Sequence, residues 1–210
     1  MSAAVAVSVH LVVADALAAV METLTMQRVQ TTVIAVVGDK ARALVEVVGG
    51  DANAKAVVPS PDAEPLDRAV QAWTTIRRTR TPFALHDADP LADVADAWVA
   101  YYDESAPRGD LEVVVAATVQ RWRAGSLELP DLYVVTAAEE MPATRRHFWL
   151  GFLHEAAPAR VVPARPEPAA VRQAIARLRA GRWWPDLDRL LDGIEHVVPD
   201  RVGLEPRPGG

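Results

Sequence analysis

The residues best able to do chemistry stand together near the middle of the chain, in His86-Asp87-Ala88-Asp89. Two aspartates at alternate positions on a loop can turn toward one divalent cation, Mg2+ or Mn2+, which a phosphate oxygen would then share. His86 has the side chain that titrates nearest neutral pH, so it suits a general acid or base beside such a pair. Asp89 also has a plainer reading, because an aspartate just before a helical pattern, here the one starting near Leu91, caps free backbone N–H groups. Lys40, in Gly38-Asp39-Lys40, and the pair Arg145-Arg146 supply cations of the kind that clamp a phosphate. Arginines in the first turn of a helix oppose its dipole, so Arg145 and Arg146 are expected to answer an anion, either Glu139 and Glu140 or a bound phosphate.

Short β-branched runs alternate with longer segments of helical period, the pattern of βα units around a mostly parallel sheet. Strands are expected over residues 31–37, 55–58, 82–85, 132–136 and 160–162, with residues 5–13 as a further edge strand. Leu66, Val70, Trp73 and Ile76 recur on one helical face, as do Leu91, Val94, Trp98 and Tyr101, and Phe148, Trp149, Phe152 and Leu153 behind Pro142. Residues 111–123 fit helix better than strand, since Leu111, Val115, Val119 and Trp122 keep helical spacing. Pro168 and Pro185 each open a further helix, and these two are expected to form a C-terminal hairpin.

The expected fold is therefore an α/β three-layer sandwich with a mostly parallel five- or six-stranded sheet and a helical C-terminal hairpin. One domain over residues 1–198, with the appendix at 168–198, would be followed by a disordered tail at 199–210, rich in Pro and Gly. Such a sheet brings the loops at its strands' carboxyl ends to one edge, where ligands bind. That rule gathers Gly38-Asp39-Lys40, Ser60 with Asp62, the His86 to Asp89 loop, and Thr136 with Glu139 and Glu140.

Several chemistries are excluded or disfavoured. With no cysteine among 210 residues there is no disulfide, thiolate metal site or cysteine nucleophile, which suits a reducing, cytoplasmic location. The apolar first thirteen residues lack a basic start, so no signal peptide is expected, and no run is long enough to span a membrane. Val37-Gly38-Asp39-Lys40 matches neither a dinucleotide fingerprint nor a P-loop, and no serine sits in a nucleophile elbow. A net charge of −6 argues against a general nucleic-acid coat but leaves room for a local basic patch. Arg77, Arg78 and Arg80 are accounted for by the dipole at a helix C-terminus. His147 and His154, two turns apart, have the wrong spacing for a metal pair. Trp183-Trp184 is a candidate interface, because adjacent residues cannot both face one core.

The succession of strand 33–37, Gly38-Asp39, helix, strand 55–58, the helix at Leu66 to Ile76, and strand 82–85 ending in Asp87-x-Asp89 resembles the Toprim domain of topoisomerases, primases and small maturation nucleases. The resemblance covers residues 31–103. It implies phosphodiester chemistry with a metal held by Asp87 and Asp89. The family's glutamate before the first glycine falls on Val37, so the chain departs from the pattern there unless Asp39 or Glu139 reaches the same place. Two functional expectations follow. The first is a non-catalytic binding or assembly protein with a vestigial active edge, working through protein partners or self-association, with Trp183 and Trp184 at the interface. The alternative is a metal-dependent phosphoryl-transfer or phosphodiester-cleaving enzyme acting on nucleic acid or nucleotides, with His86 and Lys40 catalytic and Arg145 and Arg146 binding phosphate.

Overall fold

The structure is a computed structural model that describes residues 31–178, 181 and 183–200. The expected strand at 5–13 and the tail at 201–210 lie outside these residues. The chain divides into units at Gln30 and Thr31, and every described residue belongs to the second.

Five strands form one all-parallel sheet in the order β2-β3-β1-β4-β5. They are β1 (Thr32–Val37), β2 (Ala54–Val57), β3 (Phe83–His86), β4 (Leu132–Thr136) and β5 (Val161–Ala164). The expected strand positions agree closely with these bounds. The central strands β1 and β4 are apolar on both faces, as a sheet covered by helices on each side requires, and every residue of β4 is buried. Register places Ala35 opposite His86 on β3 and Val37 opposite Val135 on β4, so the strands end almost level.

Alternate side chains sort the helices into two layers. Ile34, Val36, Leu132 and Val134 pack toward α1 (Ala41–Val48) and α7 (Pro168–Ala176). Ala35, Val37, Tyr133 and Val135 pack toward α3 (Ala92–Tyr102), α4 (Arg108–Arg123) and α8 (Leu187–Leu191). The same layer holds a helix that begins as α5 (Ala143–His147), widens to π geometry over Phe148–Leu153 and ends as α6 (His154–Ala156). Between β2 and β3 runs α2 (Pro65–Ile76).

Two expectations are corrected. The C-terminal helices do not form a hairpin: Val171 of α7 is buried with the α1 layer, whereas Leu187, Leu190 and Leu191 of α8 are buried with the α3 layer. Both helices have an apolar stripe, and each finds it on a different face of the sheet. On α2 the buried stripe is Ala69, Ala72 and Ile76, and Leu66, Val70 and Trp73 lie at its margin. Small alanines let the helix approach closely, while the Trp73 indole N–H donates to the Gly125 carbonyl at 3.3 Å.

Candidate functional site

Strand order sets the position of the cleft. The chain leaves β1 through α1 on one face of the sheet, but leaves the neighbouring β3 and β4 through helices of the other face. Connections that diverge in this way open a crevice at the carboxyl end of the shared strand. A cleft of about 530 Å³ occupies this place, with Gly38, Asp39, Asp87, Asp89, Glu140 and Arg145 in its wall.

The β1 loop is held by local necessity. Gly38 has φ +105°, and a Cβ there would lie 2.2 Å from the Thr136 carbonyl oxygen, so only glycine fits. The buried Thr136 hydroxyl donates to the carbonyls of Val37 at 2.9 Å and Asp39 at 3.1 Å, tying the end of β4 to this turn. Ala137, immediately after β4, takes φ +51°, an uncommon conformation for a side chain with a Cβ. Such strain is found where a loop is held in place for a purpose.

Asp87 and Asp89 are both embedded in the protein. The Asp87 side chain is 7 % exposed, and its Oδ2 accepts from the Arg68 guanidinium at 2.9 Å. Its Oδ1 is buried without a partner, as is Nε of Arg68. Asp89, also 7 % exposed, uses Oδ1 twice, accepting from the Leu91 N–H and from the Tyr133 hydroxyl, each at 2.9 Å. Its Oδ2 is buried without a partner. The helix cap expected of Asp89 is corrected: the N-cap residue of α3 is Leu91, with no side-chain cap, and Asp89 instead braces the turn before it through the Leu91 N–H, using only one oxygen. Burial raises the Asp89 carboxyl to about 7, against the lowering effect of the Leu91 and Tyr133 hydrogen bonds; nearby Asp96 adds to the rise and Arg145 opposes it. The Tyr133 hydroxyl is pushed up in turn by its burial and by Asp89.

His86 is buried, and its Nδ1 lies 2.9 Å from the Ala88 carbonyl. A carbonyl only accepts, so Nδ1 carries the proton and the ring is the neutral Nδ1–H tautomer. Burial lowers its pKa to about 4. A ring pushed down this far is neutral near pH 7, which runs against its use as a proton shuttle there.

The remaining expected residues divide. Arg145 reaches the cleft wall and pairs with Asp96, in place of the expected Glu139 or Glu140. Arg146 points toward the Ala138 carbonyl at 3.4 Å, and its Nε is buried without a partner. Lys40 is exposed, holds φ +61° at the start of α1, and does not line the cleft. Glu140, and not Glu139, joins the wall, while Ser60 and Asp62 form an exposed turn of their own. Among the described residues no three His, Cys, Asp or Glu side chains converge to hold a metal ion.

The two histidines of the α5 helix are structural. His147 stacks on Trp98 and lies along Gly151, where any Cβ would strike its ring at 2.5 Å. His154 pairs through Nδ1 with the Val161 carbonyl. Trp184 is corrected as an interface residue, being only 6 % exposed with its indole N–H donating to the Pro130 carbonyl at 2.7 Å. Trp183 is 37 % exposed and carries the Arg160 guanidinium 3.7 Å above its ring.

Arg68 and Tyr133 are the site residues that inspection of local motifs misses. Tyr133 did leave a signal, since a tyrosine inside the apolar run Leu132-Tyr133-Val134-Val135 needs a partner for its buried hydroxyl. No helix among the described residues is long and apolar enough to cross a membrane. Comparison with known protein families, with curated proteins and with solved structures found no match.

Proposed function

We propose that the chain is a non-catalytic binding protein whose ligand enters the cleft at the carboxyl ends of β1, β3 and β4 and presents hydrogen-bond donors on a cationic nitrogen group. One observation carries this reading: Asp87 and Asp89 both line the cleft, and each has one oxygen tied inside the protein and the other buried without a partner. An unmet buried acceptor costs about 1–3 kcal/mol, and a ligand that donates to it recovers that loss. The wall is acid-rich, with Asp39, Asp87, Asp89 and Glu140 against Arg145, and of the four Asp87 is paired with Arg68 and Asp89 keeps its proton up to about pH 7. Ammonium, amidinium and guanidinium groups satisfy both conditions.

A second reading, the metal-dependent phosphoryl-transfer or phosphodiester-cleaving enzyme, is favoured by the same two free oxygens, which would face a shared Mg2+ or Mn2+. It lacks a third protein ligand converging with them among the described residues, and burial pushes the adjacent His86 down to about 4.

Thermal unfolding separates the readings, because a ligand of the native state raises its melting temperature by mass action. The wild type and an Asp87→Asn/Asp89→Asn variant are compared with millimolar agmatine, which carries a guanidinium and an ammonium, and with Mg2+ or Mn2+. Stabilisation of the wild type alone by agmatine is expected. Stabilisation of the wild type by the divalent cations, with none by agmatine, would replace the binding reading with the metal one.

A further inference from the structure

We propose that the opposite, amino edge of the sheet carries a second site, a cationic cleft that binds a chain of phosphates through Lys55, Arg78 and Arg80, with Arg77 beside them. The inference is independent of the carboxyl-edge cleft. Lys55 lies on β2, Arg77 and Arg78 follow α2, and Arg80 stands just before β3. The side chains of Lys55, Arg78 and Arg80 come together with three threonines around a cleft of about 540 Å³ that has no acidic residue in its wall.

The helix dipole, which explains the three arginines from sequence, is too small to explain the cluster. A helix C-terminus presents about half a negative charge. Four cations exceed it severalfold, and Lys55 comes from a strand. Most arginines elsewhere have a carboxylate, as in Arg42–Glu46, Arg108–Glu112, Arg123–Asp188 and Arg172–Asp51. Among the described residues, Lys55, Arg77, Arg78 and Arg80 have none. Acids at the same edge are engaged elsewhere, Asp51 by Arg172 and Asp131 by the Val33 N–H at 2.8 Å. In a chain with net charge −6, a corner holding four unmatched cations is segregated charge.

The segment that carries Arg78 and Arg80 is also fixed before any ligand arrives. Thr31, 3 % exposed at the head of β1, donates to the Thr79 carbonyl at 3.2 Å and the Thr81 carbonyl at 2.8 Å. The Thr32 N–H donates to the Pro82 carbonyl at 2.8 Å. Preorganisation of this kind reduces the ordering cost of binding. The hydroxyls of Thr75, Thr79 and Thr81 already donate to the carbonyls of Gln71, Thr75 and Phe83. What the cleft offers is therefore positive charge, with no aromatic in its wall for a base to stack on. Its ligand is recognised by its linked phosphates and not by base sequence, whether these belong to a nucleic-acid strand or to a free polyphosphate.

Fluorescence anisotropy of a labelled oligothymidylate of about 20 nucleotides, with the full chain at low salt, tests this, and inorganic tripolyphosphate serves as the competitor. Three or four neutralised phosphates predict a slope of about −2 to −3 in the logarithm of affinity against the logarithm of salt. Arg78→Glu/Arg80→Glu should weaken binding at least about tenfold and flatten the slope, while its melting temperature stays near the wild-type value because both side chains are exposed. Oligothymidylate binding that tripolyphosphate displaces assigns the site to linked phosphates, with the strand as a source. Direct binding of tripolyphosphate alone, lost in the variant, assigns it to free polyphosphate. Equal affinity of wild type and folded variant for the strand, or binding of neither probe, overturns the proposal.

Discussion

Replacing Asp89 with asparagine should stabilise the protein, and the gain should depend on pH in a way that only a buried, proton-holding carboxyl produces. Asparagine keeps an oxygen for the Leu91 N–H and the Tyr133 hydroxyl, which Asp89 Oδ1 now accepts. It removes the ionisation that burial penalises. Asp89 rises from 3.8 when unfolded to about 7 when folded. At about 1.4 kcal/mol per pH unit the difference amounts to about 4 kcal/mol. The sign follows from proton binding: between the two values the folded state holds a proton that the unfolded state has lost, so stability falls as pH rises through this window. His86 has the opposite sense, because it falls from 6.5 to about 4 on folding and its contribution is lost as pH drops below 6.5. In the wild type the two slopes nearly cancel between about pH 4 and about pH 6.5. Asp89→Asn exposes the His86 slope alone, so the variant's stability should climb with pH across that interval by about 1.4 kcal/mol per unit relative to the wild type. Urea unfolding of both proteins from about pH 4 to about pH 8 measures the difference directly, and charges common to both cancel. The variant should match the wild type near pH 4 and exceed it by up to about 4 kcal/mol near pH 8. A variant no more stable than the wild type at the alkaline end, or a difference that does not change with pH, would refute the account of Asp89.

Arg68→Met should cost about 3–5 kcal/mol in denaturant unfolding, because it strands the Asp87 charge in a side chain only 7 % exposed, and adding Asp87→Asn should restore most of the loss. Gly38→Ala should destabilise by more than about 2 kcal/mol, since its Cβ would lie 2.2 Å from the Thr136 carbonyl oxygen, whereas Gly125→Ala, with φ +67° and open space around it, should cost about 1 kcal/mol. Trp184→Ala should cost about 3–5 kcal/mol and Trp183→Ala no more than about 1 kcal/mol, as judged by thermal and denaturant unfolding of each.

Much of the architecture was legible because a parallel sheet covered on both faces writes its strands as apolar runs. Thr32–Val37 and Leu132–Thr136 are such runs, ended by Gly38 and by the acidic segment after Thr136. Periodicity identifies a stripe but not the surface it meets. That is why the two C-terminal helices, each amphipathic, gave no sign that the sheet lies between them. On α2 the large residues suggested the wrong stripe, because the buried positions include small alanines at 69 and 72, which carry little weight in a hydrophobic pattern. The rule for strand ends gathered Gly38, Asp39, Asp87, Asp89 and Glu140, which line the cleft, together with Lys40, Ser60, Asp62 and Glu139, which do not. The state of those residues did not, since it depends on partners far along the chain: Arg68 for Asp87, Tyr133 for Asp89 and Asp96 for Arg145. The same holds at the amino edge, where Lys55 reaches Arg78 and Arg80 only through the pairing of β2 with β3.

The carboxyl 13C resonances of Asp87 and Asp89, followed during titration first with agmatine and then with MgCl2, test the central claim most directly. Agmatine should move both resonances to saturation and lower the Asp89 pKa below its starting value of about 7, because a cation beside a carboxylate favours its ionised form. Resonances that ignore agmatine but shift with Mg2+ would contradict that claim and assign the two aspartates to a metal.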